Sequence, residues 1–300
     1  MTLRFGVAGT GHWANIVHIP GFKARKDIEL VGVWGRRSNA VHDIAGRHGI
    51  RAFEDFREML DAVDAISLSV PPAVQADLAC IAADAGKHLL LEKPVAPTVE
   101  GAERVAAAVE RSGVSTVVFF TRRFVPEFER SLAAAGRKPW AEARIRQLTD
   151  AMRTGSPYAG SVWRQAEGAA LWDIGPHALS VVTAVLGPVE RISATWSADR
   201  VSRFTAHHTS GARSDAELSL HTPSASVVSE YVFRAGDDVL ALPLPTFLRP
   251  DAFAAAAGEL ADNIRQDERH HRCDVRFGLD VVRVLAAADR SIKTGKAEAP

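Results

Sequence analysis

LRFGVAGTGHWA (residues 3–14) is the stretch from which the rest of the chain can be read. Leu3, Phe5 and Val7 make an apolar β-type run that feeds Gly6, Gly9 and Gly11, and Ala14 follows at the third position of a glycine fingerprint, in a helix-compatible segment. Strand, glycine turn and helix in that order bring backbone N–H groups and a helix N-terminus up to a diphosphate. Gly9 permits the tight turn, Gly11 leaves room for the ligand, and small Ala14 lets the helix pack closely on the strand. His12 and Trp13, the first residues past the turn, are expected to touch the same ligand. Glycine turns between strands and helices are common, so the flanking segments must carry the rest of the argument.

A second apolar run, Ile28, Leu30, Val31 and Val33, ends in Trp34-Gly35-Arg36-Arg37. About 20 residues past the glycine turn, an NAD site places an acidic residue against the ribose 2′-hydroxyl. Gly35 stands there instead, while Asp27 and Glu29 fall at the opposite end of the run. Arg36 and Arg37 offer guanidinium groups suited to a 2′-phosphate and to stacking on adenine. NADP is therefore favoured and NAD is the alternative; the competing account treats both arginines as solvated charges.

The chain has 300 residues, 47% of them apolar, enough for two domains with their own cores. Equal totals of 36 basic and 36 acidic residues point away from nucleic acid or a membrane surface and toward a small-molecule partner. No signal peptide precedes the first strand and no apolar run approaches bilayer length, so a cytoplasmic protein is expected. Cys80 and Cys273 cannot by themselves build a disulfide framework or a zinc site. His207 and His208 point to opposite faces of a strand, and His270, His271 and Cys273 lack metal-ligand spacing, so no metal site is expected.

Strands at about 3–8, 28–34, 51–53, 64–70, 88–91 and 115–120 alternate with helices at about 12–24, 39–47, 54–61, 73–85 and 98–111. That rhythm predicts an α/β doubly wound parallel sheet over residues 1–121. After a helix near 126–135, strands at 142–149, 188–198, 203–209, 213–221, 227–234 and 238–243 follow, with helices near 173–186, 251–266 and 275–291. Residues 122–300 are thus expected to form a second α/β domain with an open, mainly antiparallel sheet. An open face invites a homodimer or homotetramer; covering loops or helices are the alternative. Ligands of doubly wound sheets bind beyond the carboxyl ends of the strands, where Val70-Pro71-Pro72 and Glu92-Lys93-Pro94 fall. Val70, Pro71, Gln75 and Glu92 are accordingly candidate cofactor contacts.

Two constellations carry chemistry. The run Gly86-Lys87-His88-Leu89-Leu90-Leu91-Glu92-Lys93-Pro94 delivers an ammonium, Lys93, to the same sheet edge as the glycine turn. There it can stabilise an alkoxide or relay a proton. In Leu171-Trp172-Asp173-Ile174-Gly175-Pro176-His177, a helix opening at Asp173 places its carboxylate and the His177 imidazole on one face, a pairing suited to general acid–base work. The blander account makes Asp173 an N-cap and His177 a buried polar residue. Arg123, Trp163 and Arg164 are candidate substrate contacts, with packing as the alternative role.

On these segments the chain resembles the glucose-fructose oxidoreductase/inositol dehydrogenase family, Gfo/Idh/MocA. The likeness rests on Gly6–Ala14, Val70-Pro71-Pro72, Ala85-Gly86-Lys87-His88 with Glu92-Lys93-Pro94, Arg122-Arg123-Phe124-Val125-Pro126, Trp163-Arg164 and Asp173-Ile174-Gly175-Pro176-His177. The resemblance implies an N-terminal Rossmann domain, a C-terminal α/β domain that often mediates oligomers, and NAD(P)-dependent redox chemistry on sugars, cyclitols or related alcohols. It also implies catalytic roles for Lys93, Asp173 and His177, with the proton acceptor left open between Lys93 and His177. Two departures stand out: Gln75 where many relatives carry histidine, and Glu167-Gly168-Ala169-Ala170 where many have a richer glycine run. Other readings are a non-catalytic dinucleotide sensor and a reductase of keto-sugars or dihydrodiols.

Overall fold

Strands β1 (Leu3–Ala8), β2 (Ile28–Trp34), β3 (Arg51–Phe53), β4 (Ala65–Leu68), β5 (His88–Leu91) and β6 (Thr116–Val118) all run parallel, in the spatial order β3-β2-β1-β4-β5-β6. This is the computed structural model of the chain, which describes residues 2–300. The chain builds outward from β1 to β3 and then returns to β4 on the other side, so the order reverses between β1 and β4. The linking helices are α1 (Ile19–Lys23), α2 (Ser38–His48), α3 (Phe56–Ala62), α4 (Pro72–Asp84) and α5 (Val99–Ser112). Every residue of β4 is buried, as are Leu89, Leu90 and Leu91, which explains why these strands read as unbroken apolar runs. Asp55 caps α3 by accepting from the Arg57 and Glu58 amides, and Thr98 caps α5 through the Gly101 amide.

The expected first helix contains a local departure. Residues Ala14–His18 form a π turn, in which the Ile19 amide reaches back to the Ala14 carbonyl. Hydropathy could not reveal it, because Val17, His18 and Ile19 are all buried and no single helical face marks the shift in phase.

The second group of elements comprises α6 (Pro126–Ala135), β7 (Glu142–Leu148), three helices, α7 (Val162–Gln165), α8 (Ala169–Asp173) and α9 (Gly175–Leu186), then β8 (Val189–Trp196), β9 (Ser202–His208), β10 (Arg213–Ser219), β11 (Val228–Ala235) and β12 (Asp238–Ala241). The sheet order is β12-β11-β7-β10-β9-β8. It is antiparallel except at its centre, where β7 and β10 pair in parallel across the long connection that holds α7 to α9. Ile145, Leu218, Phe204, Tyr231 and Phe233 are buried on one face. On the other, Arg146 and Arg203 meet Glu217 at 3.0 and 3.3 Å, a cross-strand ladder compatible with water. Edge strand β8 is covered by the C-terminal tail, Ile192 and Glu298 exchanging backbone hydrogen bonds of 2.9 Å.

The boundary between the two units departs from the sequence reading, which placed all of 122–300 in the second domain. The first unit extends to Val125 and also takes Phe247–Leu279; the second comprises Pro126–Thr246 and Asp280–Pro300. The reason is α10 (Arg249–Gln266). Its Phe253 has ring centroids 5.0 Å from Phe22, 5.2 Å from Phe119 and 4.2 Å from the His18 imidazole, so it completes the aromatic core beneath the parallel sheet. Arg265 of the same helix binds Asp27, whose carboxyl is held down to about 2, first by Arg25 and then, beyond the opposing effect of burial, by Arg265. Among the described residues no helix is long and apolar enough to cross a membrane.

Burial pushes the imidazoles of His88 and His208 below their ordinary 6.5. His208 bridges the Gly187 carbonyl and the Ser214 hydroxyl, and His88 accepts the Ser115 amide, so both are held neutral. The unfolded chain binds these protons more readily, so the stability they contribute is complete above their ordinary range and is lost as pH falls. The melting midpoint should therefore decline from about pH 6.5 toward about pH 5, and more gently in His208→Gln than in the parent. A midpoint that rises through that window would contradict the assignment.

Candidate active site

The glycine turn sits where the sheet order reverses. Gly9 has φ of +129°, and a Cβ there would stand 2.1 Å from the Ser69 carbonyl oxygen, so only glycine is tolerated. The Gly9 amide donates to the Trp34 carbonyl at 2.7 Å and the Ser69 amide to that of Ala8 at 2.8 Å, closing the crevice between the ends of β1 and β4. At Gly11 a Cβ would meet nothing within 4 Å. That opening leads into a cleft of about 490 Å³ lined by Gly9, Thr10, Gly11, Trp34, Gly35, Arg36, Arg37, Ser69, Val70, Pro71 and Val74. Seven candidates named from sequence thus share one cavity: Gly9, Gly11, Gly35, Arg36, Arg37, Val70 and Pro71. Its donor set, an open glycine at a helix start with two exposed arginines, fits a dinucleotide. His12 is exposed at the start of the same helical run. A Cβ at Gly35 would lie 2.8 Å from the Thr10 methyl, so the position where an acidic residue would contact a ribose is filled by Thr10.

Lys93 follows β5 in a turn whose backbone is braced from α4. Gln75 has no exposed surface, and its amide is spent on that turn: Oε1 accepts the Glu92 amide at 2.8 Å, and Nε2 faces the carbonyls of Glu92, Pro94 and Val95 at 2.6, 3.1 and 3.2 Å. Sequence reasoning assigned Gln75 to cofactor contact; the structure makes it a brace, because a fully buried amide engaged with four backbone groups is not exposed to a ligand. Glu92 and Trp13, both candidate cofactor contacts, bind each other, the indole N–H donating to Glu92 Oε1 at 2.7 Å. Arg123 belongs to the same unit, is 5% exposed, and its carbonyl accepts from Arg272.

In the second unit Asp173 ends α8 and His177 lies in the first turn of α9, with Pro176 tolerated at that helix start. The single helix expected to begin at Asp173 is therefore two helices joined at Ile174, and Asp173 is not an N-cap. Arg164 forks its carboxylate, Nε to Oδ2 at 2.7 Å and Nη2 to Oδ1 at 3.3 Å. The guanidinium carbon also lies 4.3 Å from the Trp163 ring centroid and 4.8 Å from that of Tyr158, so Arg164 gathers its own loop onto Asp173. Beside it opens a cavity of about 460 Å³, lined among others by Arg164, Glu167, Trp196, Arg200 and His221. Arg200 Nη1 lies 3.4 and 3.3 Å from the two His221 ring nitrogens, and burial, then Arg200, pushes that imidazole down. Trp196, Arg200 and His221 escaped the sequence reading because the β8–β9 connection and the segment after β10 meet only once the sheet has formed.

Residues 3–120 match the sequence profile described as "Oxidoreductase family, NAD-binding Rossmann fold" (GFO_IDH_MocA). Over that span the chain is similar to the Gfo/Idh/MocA oxidoreductase family. Among curated relatives, D-glucoside 3-dehydrogenase of Escherichia coli is 29% identical over 191 residues, covering 62% of this chain and 54% of the relative. The scyllo-inositol 2-dehydrogenase (NADP(+)) IolU of Bacillus subtilis is 24% identical over 201 residues, 64% of this chain and 61% of the relative. The chain thus spans less than two thirds of the length of these curated relatives. An oxidoreductase domain protein from Kribbella flavida is similar in fold across the whole of both chains, with TM-score 0.88 and 22% identity.

Near the end of α10, His271 binds Glu259 at 2.7 Å and His270 contacts Arg276. Among the described residues no group of three or more His, Cys, Asp or Glu side chains is arranged to hold a metal ion.

Gln75 supplies a direct check on the brace. Gln75→Leu keeps the volume but leaves the Glu92 amide and three carbonyls without that partner, and should cost about 1–3 kcal/mol in urea unfolding. A variant within about 0.5 kcal/mol of the parent would contradict the role.

Proposed function

We propose that this chain is an NAD(P)-dependent oxidoreductase that interconverts a secondary alcohol and a ketone on a sugar, a cyclitol or a related small molecule. The observation that carries the reading is the cleft lined by Gly9, Gly11, Gly35, Arg36 and Arg37, in the unit that also braces the Lys93 turn. The relatives' names, an inositol and a glucoside dehydrogenase, favour polyhydroxylated substrates. The second unit's cavity suits such a compound, lined by the aromatic Trp196 and by the polar side chains of Arg164, Glu167, Arg200 and His221.

A bound nicotinamide supplies the hydride-accepting carbon. Lys93 stabilises negative charge as it develops on the carbinol oxygen, a role reversed on reduction; His177 is the second unit's general acid–base candidate. Asp173 serves as a fixed carboxylate near the start of α9, anchored by Arg164. NADP is the favoured cofactor, because Gly35 and Thr10 leave no acidic side chain at the ribose position and Arg36 and Arg37 border the cleft. The reading includes a homodimer or homotetramer assembled through the outer face of the second sheet, whose arginine–glutamate ladder offers both charges to a two-fold partner.

Two measurements test the reading. With a panel of sugars, inositols and keto-sugars, absorbance at the reduced-nicotinamide band should change for the parent and not for Lys93→Met, while calorimetry finds dinucleotide affinity within about threefold. Undiminished turnover in Lys93→Met would overturn the catalytic assignment. Replacing Arg36 and Arg37 together by Ala should weaken NADP binding about tenfold or more and NAD binding far less. Equal loss for both dinucleotides would contradict the 2′-phosphate role.

A further inference from the structure

His18 takes no part in the proposed hydride chemistry, yet it is the centre of a hydrogen-bonded line inside the first unit. The imidazole is 1% exposed, with Nδ1 at 2.8 Å from Ser67 Oγ and Nε2 at 3.0 Å from Glu92 Oε1. That same Oε1 accepts the Trp13 indole N–H, while Glu92 Oε2 lies 3.3 Å from the Lys93 amide. The contacts are satisfied together when His18 carries its proton on Nε2 and receives the Ser67 hydroxyl proton at Nδ1. Phe253, at 4.2 Å, and Phe119, edge-on at 6.5 Å, hold the ring in place.

The backbone is shaped for this contact. Residues Ala14–His18 are the π turn, and one inserted residue rotates every later side chain by about 100° around the helix axis. In an uninterrupted α-helix the residue at position 18 would face elsewhere. The insertion therefore aims an imidazole from the glycine-turn helix at the carboxylate that precedes Lys93, and Trp13 approaches the same oxygen from the start of that helical run.

We propose that His18 is a positioning residue for the Lys93 turn, acting through the Glu92 carboxylate. The proposal rests on Lys93 being a catalytic group, and adds that the turn is set from two sides. Gln75 fixes its backbone from α4, and His18 with Trp13 fixes its leading side chain from the glycine-turn helix. Glu92 Oε1, already receiving two donors, then serves the turn and not a ligand.

Glutamine places an amide N–H where histidine has Nε2, whereas asparagine reaches only as far as Nδ1. His18→Gln should keep the Glu92 contact and His18→Asn should lose it, although both keep a buried polar group. In cofactor-free protein, the Trp13 indole N–H resonance, assigned with Trp13→Phe, should stay near its parent position in His18→Gln and move in His18→Asn. In turnover, kcat should hold within about threefold for His18→Gln and fall about tenfold or more for His18→Asn, with dinucleotide affinity within about threefold in both. If the two variants behave alike in both readouts, His18 is only core and the proposal falls. If Lys93→Met stays active, the catalytic reading falls, while the indole resonance still reports whether His18 holds Glu92. Should His18→Asn not fold, Glu92→Gln probes the same contact from the other side: a kcat lowered about fivefold or more supports the proposal, and a parent kcat overturns it.

Discussion

The first unit depends on one steric constraint, the approach of the Gly9 backbone to the Ser69 carbonyl, where a Cβ would come within 2.1 Å. That approach holds the carboxyl ends of β1 and β4 together at the place where the sheet order reverses. Because β1 ends there, the chain turns with Gly11 opening onto free space, and Gly9, Thr10 and Gly11 line the cleft just ahead of the helical run. Any side chain at position 9 would separate the two strand ends and dissolve the cleft that Arg36 and Arg37 border.

The same helix reaches further. It enters a π turn, and Trp13 and His18 meet Glu92, so the segment that shapes one end of the cleft also holds the residue before Lys93. Gln75 secures the backbone of that turn without using its own surface for a ligand. Buried polar groups linked in this way are costly to break singly, because each removed partner leaves another unsatisfied. In the second unit the analogous device is a single fork, Arg164 on Asp173, which ties a loop carrying Tyr158 and Trp163 to the end of α8.

Most of the elements were legible because the pattern that selects them is local. Fully apolar runs such as Ala65–Leu68 and alternating ones such as Glu142–Leu148 declare a covered and a half-exposed strand. The glycine turn and Gly35 with its two arginines, which line one cleft, were legible for the same reason. What was missed depends on contacts distant in sequence. Phe253 joins the first unit through Phe22, Phe119 and His18, and nothing within α10 announces those partners. Gln75 looked like a ligand contact because its 17-residue separation from Glu92 hides a direct hydrogen bond. The break between α8 and α9 was hidden because Pro176 is equally at home in the first turn of a helix that begins earlier. A histidine within the buried run Val17-His18-Ile19 was the available signal for His18, since an imidazole among apolar neighbours needs partners.

The central claim is that the cleft around Gly9, Gly11 and Arg37 receives a dinucleotide. Its most direct test is backbone amide chemical-shift mapping of the cofactor-free protein titrated with NADP. The account predicts saturable changes concentrated at residues 9–13, 35–38 and 69–71, the segments that line or adjoin the cavity. Saturating dinucleotide that leaves those amides unmoved, or that moves only amides elsewhere, would contradict it.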